Sequence, residues 1–295
     1  MNYDILLAVT SWEDRFELGI KHFLETNLVK EIIFLEFIDY IDYTKNNTYE
    51  VKNFLDSKKI RSSLIKLKYN DNKSNWGMIK NTINNLEGDL VVDISTMPRD
   101  IIYFSLYHAE KSKMINKLFF IYNYPEGYSK ENWLTSDPYK PYLIYNMSGI
   151  YEMGNTTILI ILTGFDRKRV EQLLNYYEIK KVYLGLQTGD QYQNNILNAK
   201  RYIENFKSFL EIERFDIDAY SEKDYGYKKI EEIINENKNS SIIAASLGPK
   251  PSSIALFRLN KKYPEIGIIH VPVFRYNMKY SFGINKGNII FENIK

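Results

Sequence analysis

The sequence predicts an α/β fold of two tandem Rossmann-like parallel-sheet units related by internal duplication. Three observations predict it. Apolar runs of strand length alternate with amphipathic stretches of helix length along the whole chain, the signature of βαβ units. The order of elements in the first half recurs in the second. Residues at the ends of matching elements recur at a nearly constant spacing, which element order alone would not require.

In the first half, strands are expected at Ile5–Val9, Glu31–Leu35, Leu64–Lys68, Leu90–Ile94 and Leu118–Tyr122. Helices are expected near Asp14–Glu25, Tyr43–Ser57, Trp76–Leu86 and Asp100–Lys111, where apolar residues recur three and four apart. The second half repeats this with strands at Ile158–Leu162, Lys181–Gly185, Phe215–Ala219, Ile242–Ala245 and Gly267–Val271. Its helices are expected near Arg167–Tyr177, Gln191–Phe209, Tyr227–Asn237 and Ser252–Lys262.

The register supports duplication. Thr163 lies 153 residues after Thr10, and Thr163-Gly164-Phe165-Asp166 matches Thr10-Ser11-Trp12-Glu13 as hydroxyl, small, aromatic and acidic residues. The same spacing of 153 sets Asp93-Ile94-Ser95-Thr96-Met97-Pro98 over Ser246-Leu247-Gly248-Pro249-Lys250-Pro251. At a spacing of 152, Tyr124 to Ser129 lies over Tyr276 to Ser281. The lobes are therefore expected at 1–150 and 151–295. The aromatic stretch Trp133–Tyr145 has no counterpart of equal length and is expected to cover the junction or bridge to another chain.

Composition narrows the chemistry. Zero cysteines exclude disulfides, thiolate metal sites and cysteine nucleophiles, and three scattered histidines cannot form a zinc cluster. No metal and no cofactor is expected. A net charge of +2 makes no electrostatic case for direct nucleic-acid binding, despite 25 tyrosines. No apolar run approaches the roughly 20 residues that span a bilayer. Met1-Asn2-Tyr3-Asp4 lacks signal-peptide grammar, so a cytoplasmic location is expected. Neither a Walker motif nor a Gly-x-Gly-x2-Gly fingerprint follows the first strand of either half.

In open doubly wound sheets, ligands bind beyond the carboxyl ends of the strands where strand order reverses. For the order 3-2-1-4-5, that places Thr10, Ser11 and Arg15 opposite Asp93, Ser95, Thr96, Met97 and Arg99 in one lobe. In the other it places Thr163, Gly164 and Lys168 opposite Gly248, Pro249, Lys250 and Ser252. Ser95 or Thr96 would cap the following helix, leaving backbone amides and Arg99 to seat an anion, or the segment is a plain capped helix start. Gly248 offers close backbone approach and Lys250 a cation. Glu13 and Asp166 suit helix N-termini, and Arg15, Arg167 and Lys168 reach a phosphate or lie in solvent. Tyr276 and Tyr280 stack on a base at the cleft edge or pack between lobes.

The strand Leu6-Leu7-Ala8-Val9 leading into Thr10, with a second loop Asp93–Arg99 after the fourth strand, resembles the CRISPR-associated Rossmann-fold (CARF) sensors of prokaryotic antiviral defence. That family's glycine-rich threonine-lysine loop has only partial counterparts here, Thr96-Met97-Pro98-Arg99 and Gly248-Pro249-Lys250. The resemblance implies a nucleotide-binding sensor or adaptor that joins two clefts around a cyclic oligonucleotide. The expected partners are a nucleotide or other phosphorylated small molecule, a separate effector protein and a second copy in a homodimer. The alternative is a hydrolase acting on a nucleotide or cyclic oligonucleotide at the same cleft, with Asp93 or Asp166 as base. A third reading is an interaction protein whose clefts hold nothing.

Overall fold

The computed structural model of the chain describes residues 1–129, 134–189, 192–220 and 224–295. Trp133 and Gln191, each an expected element end, lie outside the described residues.

The first half runs β1 (Asn2–Val9), α1 (Asp14–Thr26), β2 (Leu28–Phe37), α2 (Ile41–Ser57), β3 (Arg61–Leu67), α3 (Asn72–Asn84), β4 (Gly88–Asp93), α4 (Arg99–Lys111) and β5 (Ile115–Asn123). Three short strands follow, β6 (Gly127–Tyr128), β7 (Thr135–Pro138) and β8 (Tyr142–Leu143). The second half repeats the plan as β9 (Thr157–Leu162), α5 (Arg167–Tyr176), β10 (Lys181–Gln187), α6 (Tyr192–Phe206), β11 (Glu211–Ile217), α7 (Tyr227–Glu236), β12 (Ser241–Ser246), α8 (Pro251–Lys262) and β13 (Gly267–His270). It closes with β14 (Val273–Tyr276), β15 (Ser281–Phe282) and β16 (Ile289–Asn293).

The sheets explain why the central strands read as unbroken apolar runs: a parallel sheet flanked by helices buries both faces. In β1, the five residues Ile5 to Val9 are all buried, and so are Ile158 to Leu162 in β9. The helices instead bury one stripe, as Phe16, Gly19, Ile20 and Phe23 do in α1. One core gathers Leu6, Ile32, Phe34 and Val91 with Phe16 and Ile20. The other gathers Leu159, Ile161, Leu184 and Ala245 with Val170, Leu173 and Tyr202.

Each six-stranded sheet contains the order 3-2-1-4-5 that the sequence predicts, as β3-β2-β1-β4-β5 and β11-β10-β9-β12-β13. The sixth strand of each comes from the opposite half of the chain. β16 pairs antiparallel with β5, and β8 pairs antiparallel with β13. The short strands are exchanged likewise, β15 onto β6 and β7 onto β14. The chain consequently divides into a first unit of Met1–Glu131 with Met278–Lys295 and a second unit of Asn132–Asn277. This corrects the division at 150: the tail of each half completes the sheet of the other.

The third register match is corrected as well. Asp93 is paired with Ile121, 28 residues on, whereas Ala245 is paired with Ile269, only 24 residues on. The second half is thus four residues shorter between its fourth and fifth strands, and the spacing falls from 153 to 149. Tyr276 faces Thr135 and Tyr128 faces Ser281, so by strand pairing the partner of Tyr276 is Tyr128, at a spacing of 148, not Tyr124.

Candidate functional site

In the second unit, the loops after β9 and β12 meet at the point where strand order reverses. A Cβ on Gly164 would lie 2.7 Å from the Gly248 Cα, and one on Gly248 would lie 2.5 Å from the Thr163 carbonyl oxygen. These glycines let two backbones touch. The close approach that the sequence reserved for a ligand is taken by the protein itself.

The hydroxyls around this contact are satisfied internally. Thr163 Oγ1 donates to the Gly185 carbonyl at 2.8 Å. Ser246 and Ser252 share a hydrogen bond of 2.7 Å, Ser252 also donates to the Pro249 carbonyl at 2.6 Å, and Ser253 donates to Ser246 at 3.2 Å. Pro251 opens α8 as its first residue, where a missing N–H costs nothing, and Lys250 sits partly exposed at the N-cap.

The equivalent place in the first unit is arranged differently. Thr96 Oγ1 donates to the Val9 carbonyl at 3.2 Å, and Ser95 Oγ accepts from Asn123 N at 2.8 Å and Nδ2 at 3.1 Å. The Thr96 hydroxyl is thus turned to β1 and not to the start of α4. Pro98 is the N-cap and supplies no side-chain hydrogen bond, while Ser95 N donates to Asp93 Oδ1 at 2.8 Å. Met97 is buried and Arg99 half-buried at the start of the helix. Thr10 Oγ1 is buried without a hydrogen-bond partner among the described residues, and so is Asn123 Oδ1.

The acids after the first strands share one role in the two units. Asp166 caps α5 by accepting from Arg169 N at 3.4 Å, pairs with Arg169 Nε at 2.7 Å and accepts from Thr135 Oγ1. Glu13 accepts from Arg15, from Ser281 Oγ at 2.6 Å, and stands at the N-cap of α1. Ser11 Oγ receives the Glu13 amide at 3.1 Å. Burial pulls the Arg15 guanidinium pKa down, but Glu13 and Tyr122 outweigh it and hold the group above its ordinary value. In both units, therefore, an acid–arginine pair grips a hydroxyl from an exchanged strand. Neither candidate base is an idle carboxylate, since Asp166 is bonded in this way and Asp93 accepts from Ser95 N.

An open groove of about 410 Å³ lies beside this pair in the second unit. Phe165, Asp166, Arg167 and Lys168 form one wall, and Asn194, Leu197, Asn198 and Arg201 of α6 form the other. Leu134 and Thr135, from the tail of the first half, complete it. Arg167 pairs with Glu171 at 3.1 Å, one turn along α5. Lys168 and Arg201 are exposed and have no ion-pair partner among the described residues. Among the described residues the one acid in the lining, Asp166, is already neutralised by buried Arg169, so these residues present an excess of positive charge next to two amides and an aromatic ring.

No family model and no curated protein sequence matches the chain. Among solved structures it is similar to "Crystal structure of the cytoplasmic domain of a prokaryotic cation chloride cotransporter", at 10% identity and a TM-score of 0.28. That match covers 92% of this chain and 95% of the other. A superposition so loose leaves function to the site itself. Among the described residues, no helix is long and apolar enough to cross a membrane.

Of the residues singled out from sequence, the structure brings Lys168 and Asp166 into the groove and leaves Thr163, Gly164, Gly248, Pro249 and Ser252 in the packed loop contact beside it. Tyr276 lies in β14 of the second unit, whereas Tyr280 packs on Tyr128 in the first, with centroids 5.1 Å apart. Sequence reasoning missed the α6 wall. Its residues 194, 197, 198 and 201 have the spacing of one helix face, but a polar face reads equally as solvated surface.

Proposed function

We propose that the protein binds a phosphorylated small molecule, a nucleotide in the first instance, in the cationic groove of the second unit, and acts as a cytoplasmic sensor or adaptor. The observation that carries this reading is the juxtaposition of Lys168, Arg167 and Arg201 with Asn194, Asn198 and Phe165. Cations neutralise phosphate charge, amides orient it or an attached base, and the ring offers a stacking face. Small-molecule sites characteristically combine an apolar lining with a few convergent polar groups. The CARF resemblance supports the same class of ligand and suggests that a separate effector takes up the signal in antiviral defence.

A sensor fits better than a hydrolase. Asp166, which lines the groove, spends its oxygens on Arg169 and Thr135 and so serves the scaffold.

Thermal unfolding in the presence of linear and cyclic nucleotides, with inorganic phosphate as a control, tests this reading. A ligand at a hundredfold excess over its Kd stabilises the folded state by about 2.7 kcal/mol. The shift in Tm should vanish in the Lys168→Ala/Arg201→Ala double variant, and the nucleotide should be recovered chemically unchanged. A shift that survives both substitutions would place the ligand elsewhere.

A further inference from the structure

The reciprocal exchange of tails is more than a topological detail, because each tail carries main-chain pairing, apolar burial and a specific polar anchor. On the first unit, β16 makes a five-residue antiparallel ladder with β5, from Ile289 opposite Asn123 to Asn293 opposite Phe119. Phe291 enters an aromatic cluster, stacked on Phe119 at 5.3 Å, edge-on to Tyr3 at 5.5 Å and tilted against Phe23 at 5.8 Å. Lys295 Nζ donates to the carbonyls of Ser112 and Ile115 at 2.9 and 3.0 Å, and the Gly283 amide donates to Asp14 at 2.8 Å.

The second unit receives the other tail in the same manner. Ile144 and Met147 are fully buried, Ile144 N donates to the Ile268 carbonyl at 2.8 Å, and Ile268 N returns a bond to the Met147 carbonyl at 2.7 Å. The polar anchors match position for position: Ser281 on Glu13, Thr135 on Asp166. The connector contrasts with these anchors. Met153 is 94% exposed, and a Cβ on Gly154 would meet nothing within 4 Å.

We propose that residues 1–153 and 154–295 form a self-assembling pair, each the specific protein partner of the other, and that strand exchange rather than the covalent connector holds them together. Without its partner, each fragment would expose the edge of its fifth strand. An edge with unpaired N–H and C=O groups accepts an added strand, with side-chain anchors setting specificity. Here the added strand is the tail of the other fragment.

The test uses the full chain with a protease recognition sequence inserted between Met153 and Gly154. After complete cleavage, size exclusion and native mass spectrometry should show one species containing both fragments in equal number, with unchanged far-UV circular dichroism. Fragments that separate or aggregate on cleavage in native buffer would overturn the proposal. The second arm carries Ile290→Pro, which removes an N–H from the β16 ladder opposite Tyr122. The uncut variant should stay folded, and its cleaved form should dissociate at protein concentrations at least a hundredfold higher than the cleaved parent requires. Cleaved variant and cleaved parent dissociating at the same concentration would show that other contacts join the fragments, and the proposal would fail.

Discussion

In the first unit, Asn47 of α2 donates to the Ser11 carbonyl at 3.2 Å, and Thr44 and Thr48 of the same helix are buried. In the second unit the corresponding helices, α5 and α6, enclose the cationic groove. The residue 153 before Arg167 is Asp14, whose carboxylate accepts the Gly283 amide. Where strand order reverses, the contrast runs the other way. The second unit is sealed there by Gly164 and Gly248, while the first keeps a buried, unbonded Thr10 hydroxyl. Duplicated units can thus keep one framework while a few side chains at matching strand ends take different partners.

The largest expected difference concerns the two acid–arginine pairs. Asp166 and Arg169 are 2% and 3% exposed, against 20% and 9% for Glu13 and Arg15. Removing one partner of a buried pair strands a charge at a cost of about 3–5 kcal/mol. Arg169→Met should therefore destabilise the second unit by about that amount in chemical denaturation, and Arg15→Met should cost clearly less. Equal losses would erase the distinction between a closed and a partly hydrated anchor.

A pH effect of about 3 kcal/mol should appear in the first unit. His108 packs on Trp76 with ring centroids 4.2 Å apart, and burial, followed by the Lys80 charge, pushes its imidazole pKa down to about 4. A base depressed in the folded state contributes full stability above its unfolded pKa of about 6.5. That contribution is lost as the pH falls from about 6.5 towards 4, because the unfolded chain takes up the proton first. Hydrogen exchange of α4 against α5 across this window should show the decline in α4, and His108→Phe should flatten it.

The smallest contrast is between the paired threonines. Thr163→Val deletes a hydrogen bond to the Gly185 carbonyl and should cost about 1 kcal/mol. Thr10→Val replaces a hydroxyl that bonds nothing and should be neutral or slightly stabilising in thermal unfolding. A loss at Thr10 matching that at Thr163 would mean that the first hydroxyl has a partner in solution.

How much of this was legible in the sequence follows from how local each signal is. The central strands and the eight α-helices among the described residues are written in local periodicity, and the strand order follows from the rules of doubly wound sheets. The exchanged strands are not. β15 is two residues long, and β16 is partly exposed throughout, so neither carries a periodic signature; pairing with a strand more than 150 residues away creates them. The site was half legible. Asp166 and Lys168 stood out as a loop at the end of an apolar run, whereas Arg201 and Asn198 join them only once α6 folds back beside α5. Gly248 was recognised as a place of close approach, but one sequence cannot say whether a ligand or another backbone approaches.

Hydrogen-exchange mass spectrometry with and without a nucleotide that raises the Tm tests the central claim most directly, because it locates the ligand in one unit or the other. The account predicts added protection at residues 165–168 and 194–201 and none at 10–15 or 93–100. Protection concentrated at 10–15 and 93–100 would contradict it and return the ligand to the strand-order reversal of the first unit.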